Sequence, residues 1–202
     1  MDYSTPCKYS IRLLEKLKSL DTQNVLDFEV INKAIYWARK SHGDQKRKSG
    51  ELYYTHPLEV AYMVSDHKLK TDIIAASILH DIIEDTEVTI GMILDNFGWR
   101  IAEIVDMLTR DRPDGSKLSV QDVLNKAYQK QDEEVLLIKL FDRLHNLQTL
   151  DAITDEKKKK VALETLSNFL TLALSFDEKG DQMIAKLCLS LIHISEPTRP
   201  ER

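Results

Sequence analysis

The sequence predicts an all-α fold. Apolar residues recur at three- and four-residue spacing along most of the chain. Only six glycines and five prolines interrupt 202 residues, which favours helices over a turn-rich β architecture. The length suits one large domain, or a domain with appendages, and suffices to bury a real core. At 43% hydrophobic and 30% charged, the composition is that of an ordinary globular protein.

The first periodic stretch, residues 8 to 20, predicts a short amphipathic helix, so residues 1 to 25 read as a lead-in to the main domain. After a polar break at Asp21 to Asn24, residues 27 to 42 predict a second helix with Phe28, Ile31, Ala34, Ile35 and Ala38 on one face. Gly43 follows as the usual stop. An irregular basic stretch, Lys46 to Glu51, leads to His56-Pro57, and proline suits a first helical position. His56 is therefore expected at the mouth of a helix running to about Val64. Thr71 and Asp72 can cap the next helix, which carries His80.

Thr89 to Phe97 and Trp99 to Leu108 predict two amphipathic segments separated at Gly98, with Trp99 and Phe97 in the core. Residues 110 to 118 are turn-rich, and Ser119 with Asp122 starts a helix to about Gln131. Residues 133 to 150 predict a helix with a broad apolar side and with Lys139, Asp142, Asn146 and Thr149 at helical spacing on the other. Regular polar positions in an apolar helix suggest a lined cavity. Helices are also expected over 155 to 174, where the lysines at 157 to 160 form a solvated face, and over 181 to 193. The end, 195 to 202, holds two prolines and no core-forming residues. It is expected to be disordered, is a candidate for non-native sequence, and is left out of the functional reading.

A net charge of -5 argues against general affinity for nucleic acid or anionic membranes. No apolar run approaches the ~20 residues of a membrane span, and the first residues lack the pattern of a signal peptide. Cys7 and Cys188 lie far apart, so a disulfide framework is not expected and a reducing cytoplasm fits.

The chemistry concentrates at residues 78 to 86, Ile-Leu-His-Asp-Ile-Ile-Glu-Asp-Thr. On one helix His80, Asp81, Glu84 and Asp85 can lean into one cavity. Three carboxylates in so apolar a segment are costly unless a cation or hydrogen bonds compensate them. A ligand set can be drawn as His56, His80, Asp81 and Asp142, suited to Mn²⁺, Fe²⁺ or Zn²⁺ with open positions for water and phosphate oxygens. Each residue also has a structural reading: His56 as a helix cap, His80 as a core histidine, Asp142 paired with Arg143. Glu84 and Asp85 are candidates to activate water, or form the polar end of a helix facing Lys or Arg. Lys46, Arg47, Lys48 and Ser49 can meet phosphates or a purine face, or are a solvated loop. Gly50 offers backbone freedom. His42, His67 and His145 have no evident partner and stand as structural or exposed.

Three stretches together, Arg47-Lys-Ser-Gly-Glu-Leu-Tyr-Tyr-Thr-His-Pro57, His80-Asp-Ile-Ile-Glu-Asp-Thr86 and Lys139-Leu-Phe-Asp-Arg-Leu-His-Asn-Leu147, resemble the HD-domain hydrolase of the RelA/SpoT homologues. The resemblance covers about residues 27 to 175 and is nearest the stand-alone small alarmone hydrolases of the metazoan SpoT-homologue type. It implies an all-helical HD bundle over residues 26 to 176 with one divalent metal, usually Mn²⁺, and residues 177 to 194 as a further helix. The implied reaction removes the 3′-pyrophosphate of ppGpp or pppGpp, leaving GDP or GTP and pyrophosphate, as in the stringent response. By position, His56, His80, Asp81 and Asp142 would bind metal and Glu84 and Asp85 would activate water. Arg47, Lys48, Ser49, Asn146 and Thr149 would hold the nucleotide. Phe141 departs from the small residue common beside the ligand aspartate, and it either enters the core or reshapes the pocket. The remaining residues offer no room for a synthetase domain or regulatory modules, so this chain is expected to be monofunctional unless it is a fragment. Two other readings stay open: an HD phosphohydrolase acting on another nucleotide, such as NADPH or a deoxynucleotide, and a non-catalytic alarmone-binding module. Oligomeric state is not indicated.

Overall fold

The computed structural model describes residue 3, residues 5–149 and residues 154–169. Among these, ten α-helices occur: α1 Lys8–Leu20, α2 Phe28–His42, α3 Thr55–Val64, α4 Thr71–Leu79, α5 Ile82–Asp85, α6 Ile90–Phe97, α7 Trp99–Leu108, α8 Val120–Gln129, α9 Glu133–Gln148 and α10 Asp155–Glu164. A π-helical turn, Thr165–Phe169, closes the series. The continuation expected to residue 174, the helix expected over 181 to 193, Cys188 and the tail all lie outside the described residues.

The bundle is built around α4. Every residue from Ile73 to Leu79 is buried, and a helix apolar all round must be surrounded. Helices α2, α3, α7 and α9 pack on it. Helix α1, with Leu13 and Leu17 fully buried, packs on α3. Arg12–Glu59 and a hydrogen bond from Lys16 Nζ to the Tyr62 carbonyl fasten the two together.

Local signals explain four of the ten helix starts. Asp27 accepts from the amides of Glu29 and Val30, Thr89 from that of Met92, and Asp132 from that of Val135. Ser119 and Asp122 form the reciprocal capping box.

Four details differ from the sequence expectation. Lys70 occupies the α4 N-cap without a side-chain bond, and Thr71 Oγ1 instead accepts from the Asp27 amide at 2.8 Å, joining the starts of α4 and α2. Pro57 is the third residue of α3, still within the first turn where its missing N–H costs nothing. Trp99 is 67% exposed: it opens α7 just after Gly98 turns the chain at φ +82, and a side chain leaning toward the N-terminus overhangs the helix end there. Phe97 does reach the core edge, edge-on to Trp37. Finally, the helix carrying His80 is interrupted: α4 stops at Leu79, and α5 starts after Asp81.

Two loops share one plan. Residues 45–53 and 110–118 each form a tight hairpin held by a single antiparallel bridge, Lys46 with Leu52 and Asp111 with Lys117. In each, a glycine at the tip donates to the arginine three residues earlier, Gly50 to Arg47 and Gly115 to Arg112. Both glycines have φ above +80, a conformation other residues rarely adopt.

Candidate functional site

The interruption after α4 places the adjacent residues His80 and Asp81 side by side at one point, where an unbroken helix would splay them by about 100°. His56 arrives from the first turn of α3 and Asp142 from the middle of α9. Ligand atoms of His56, His80 and Asp142 all lie within 4.8 Å of one another. Asp81 joins them, with Oδ1 3.1 Å from His80 Nε2 and Oδ2 3.4 Å from His56 Nε2. Asp142 Oδ1 is 3.2 Å from His56 Nε2 and 3.8 Å from His80 Nε2.

These groups converge on a common point more than they bond to each other. His80 Nδ1 is 2.8 Å from the Ser77 carbonyl, which can only accept, so Nδ1 carries a proton. Its Nε2 is buried and has no hydrogen-bond partner despite the nearby carboxylate oxygens. An orphaned imidazole nitrogen facing carboxylates in a buried site is the donor set a divalent cation satisfies. Without one, burial would lower the His80 pKa, but Asp81 and Asp142 outweigh it and lift it to about 10. Burial alone would raise both aspartates. For Asp81, His80 and His56 hold the carboxyl below its ordinary range; for Asp142, Lys139 at 3.3 Å and the two histidines do so. The alternative pairing of Asp142 with Arg143 does not form. Arg143 pairs with Glu164 and lies over the Phe169 ring.

The two candidate catalytic carboxylates part company. Glu84 accepts the Arg110 amide at 2.6 Å and lies 3.4 Å from Lys117 Nζ, so it is committed to the second hairpin. Asp85 stays beside Tyr53 and Asp81. Burial, partly offset by the Tyr53 hydrogen bond and reinforced by Asp81, raises its pKa. Tyr53 donates toward Asp81 Oδ2 at 3.5 Å. Burial and the carboxylates of Asp81 and Asp85 hold its phenol far above the ordinary value, so it keeps its proton.

A cavity of about 590 Å³ opens beside the centre. Its lining includes Arg47, Lys48, Ser49, Asn146 and Thr149, together with Asp142, so the expected nucleotide-holding residues meet one of the expected ligands there, while His56, His80 and Asp81 lie outside the lining. Glu84 and Asp85 are not in the lining. Lys46, Arg47, Lys48, Arg110, Lys139 and Arg143 face it against two carboxylates, those of Asp142 and Glu164, while Val120, Val161 and Phe169 supply apolar wall. Phe141 is not part of it. Its ring is 1% exposed and packs on His67 in the core.

Sequence reading missed three residues. His145 lies 2.8 Å, Nδ1 to Nδ1, from His56, and its position three residues after Asp142 and four before Thr149 was the available signal. Burial, then His56 and Arg47, lower its pKa to about 3, so it is neutral. Tyr53 and Arg110 come from the hairpins, where no periodicity marks which side chains turn inward.

Fold and site thus define a helical protein with a His/His/Asp group able to hold a divalent metal, joined through Asp142 to a cationic cavity. The HD domain model matches residues 34–175, and the chain belongs to the HD domain family. A guanosine-3′,5′-bis(diphosphate) 3′-pyrophosphohydrolase of Aquifex aeolicus is 38% identical over 166 residues, 79% of this chain and 23% of that protein. The GTP pyrophosphokinase rsh of Brucella ovis is 42% identical over 149 residues, 71% of this chain and 20% of that protein. This chain therefore spans about a fifth to a quarter of these relatives. A solved structure of a metazoan ortholog of SpoT, which hydrolyses ppGpp and plays a role in starvation responses, is alike in fold. Its TM-score is 0.57 at 24% identity, covering 82% of this chain and 93% of that one. Among the described residues no helix is long and apolar enough to cross a membrane.

Proposed function

We propose that this chain hydrolyses the 3′-pyrophosphate of ppGpp or pppGpp, giving GDP or GTP and pyrophosphate. The observation that carries this reading is the cationic cavity meeting the His/Asp group at Asp142, which sets a polyanion-binding surface beside residues able to hold a metal. The activities named for the Aquifex and metazoan proteins support it. We take residues 26–176 as the hydrolase unit, a reading supported by the matched range, with residues 1–25 as its lead-in. A cytoplasmic setting is supported by the two cysteines being far apart in sequence.

His56, His80, Asp81 and Asp142 would hold the ion, for which Mn²⁺ is the candidate. When bound, a divalent ion supplies Lewis acidity that lowers the pKa of water and neutralises phosphoryl charge. The chain's own residues account for the rest. Arg47, Lys48 and Ser49 from the first hairpin, with Asn146 on α9 and Thr149 at its C-cap, would grip the nucleotide, and the remaining cavity cations would offset its charge. Water oxygen bonds to the ribose-proximal phosphorus, the bond from that phosphorus to O3′ breaks, and O3′ takes a proton. Of Glu84 and Asp85, the surroundings favour Asp85 to receive the water's proton, because a raised pKa suits a base near neutrality. Glu84 would set the Arg110 wall.

Metal-loaded protein incubated with ppGpp should release GDP and pyrophosphate, resolved by chromatography, with Asp81→Ala as the control. A folded, Mn²⁺-loaded sample that leaves ppGpp intact would overturn the reading, and phosphate released only from NADPH in a parallel incubation would move it to another nucleotide.

A further inference from the structure

His145 belongs neither to the ligand set nor to the residues expected to hold substrate, yet it sits between them. Its Nδ1 lies 2.8 Å from His56 Nδ1 and 3.3 Å from Arg47 Nη1. A guanidinium only donates, so Arg47 meets a lone pair on His145 Nδ1. The proton in the shorter contact must then be carried by His56. A neutral imidazole protonated at Nδ1 has its lone pair on Nε2, and His56 Nε2 faces Asp81 Oδ2 at 3.4 Å and Asp142 Oδ1 at 3.2 Å. The bond to His145 therefore dictates the ligand form of His56. A second relay leaves the same arginine. Arg47 Nη2 donates to Asn146 Oδ1 at 2.5 Å, and Asn146 Nδ2 donates to Asp142 Oδ1 at 2.6 Å. One guanidinium on the first hairpin thus reaches two ligands, on α3 and on α9, each through one intermediate side chain.

We propose that His145 is a positioning residue that fixes the tautomer of His56 and, with Asn146, ties the metal centre to Arg47 of the cavity. The inference rests on the reading of His56 as a metal ligand and not on the identity of the substrate. Without His145, His56 is free to place its proton on Nε2, where it opposes a cation. Without Arg47, the lone pair of His145 loses the donor that commits it to accept from His56.

The test is Mn²⁺ affinity of the full chain with no nucleotide present, read by electron paramagnetic resonance of free Mn²⁺. His145→Leu should weaken binding about 10- to 100-fold, the usual effect of removing a partner that orients a metal ligand. His145→Asn, which can place a carbonyl oxygen where Nδ1 stood, should recover most of it. Arg47→Ala should weaken binding by less, although Arg47 is no ligand. A merely structural role would lower the melting temperature and leave the affinity of the folded protein unchanged. A His145→Leu affinity within twofold of the parent overturns the proposal, as does a parent that binds no Mn²⁺. Should that variant not fold, the parent loaded with Zn²⁺ decides by nuclear magnetic resonance. A through-hydrogen-bond ¹⁵N–¹⁵N coupling between the two Nδ1 atoms, with the proton on His56, supports it. Absence of the coupling, or a proton on His145 Nδ1, overturns it. Neither result depends on ppGpp turnover, so failure of the hydrolase reading leaves this test intact.

Discussion

His80 is the most constrained side chain of the centre, with Nδ1 committed to a carbonyl and Nε2 held among carboxylates. In the metal-free protein its pKa rises from 6.5 to about 10, first opposed by burial and then driven by Asp81 and Asp142. A folded pKa above the unfolded one gives stability that is complete below pH 6.5 and lost as pH climbs toward about 10. Asp81 and Asp142 run the other way: their folded values are depressed, so their contribution holds above the ordinary carboxylate value of 3.8 and is lost on acidification. With chelator present, the melting temperature should therefore fall between neutral and strongly alkaline pH. A flat profile would refute a charged His80. Because a cation competes with that proton, Mn²⁺ affinity should rise over the same window. A separate prediction concerns Asp85: Asp85→Asn should cut turnover about 10²- to 10⁴-fold, the usual scale of general-base loss, with Mn²⁺ affinity retained. Loss of Mn²⁺ affinity in that variant would instead make Asp85 part of the centre's scaffold.

At the scale of elements, α9 carries two tasks on opposite sides. One side buries Leu140, Phe141 and Leu144, and the other presents Lys139, Asp142, His145 and Asn146, followed by the C-cap Thr149, to the site. The division makes a separable prediction. Phe141→Ala should cost about 3–5 kcal/mol of stability by emptying a space against His67, seen in denaturant unfolding, while Mn²⁺ affinity of the folded fraction stays within a few-fold. A large loss of affinity would mean that the core under α9 sets the ligand geometry. This two-sided pattern was legible in the sequence because apolar and polar positions along 133 to 150 follow the helical period, and the helix start at Ser119 with Asp122 was legible for an equally local reason. The interruption at His80-Asp81 was not. No proline or glycine marks it, and the apolar residues on either side, Ile78, Leu79, Ile82 and Ile83, read as one continuous helix. Tyr53 and Arg110 were hidden because a hairpin's inward side chains are chosen by tertiary packing. Trp99 misled because hydrophobicity says a side chain prefers burial, not that a helix end can provide it.

For the whole molecule, the chain carries a net charge of -5, yet six cationic side chains face the cavity against two carboxylates. Such a field draws in a polyanion from within a Debye length, about 8 Å at physiological salt. kcat/KM for ppGpp should accordingly fall as ionic strength rises, although the protein as a whole is acidic. Lys48→Glu should lower kcat/KM at low salt and flatten the dependence, and an unchanged salt slope would assign capture to shape and not charge. The field cannot tell arrival from departure. On the proposed reaction, GDP and pyrophosphate would leave as polyanions through the same ring of lysine and arginine that admitted their parent, so the first turnover should run ahead of those that follow, and the tempo would be set by how slowly the cavity lets go.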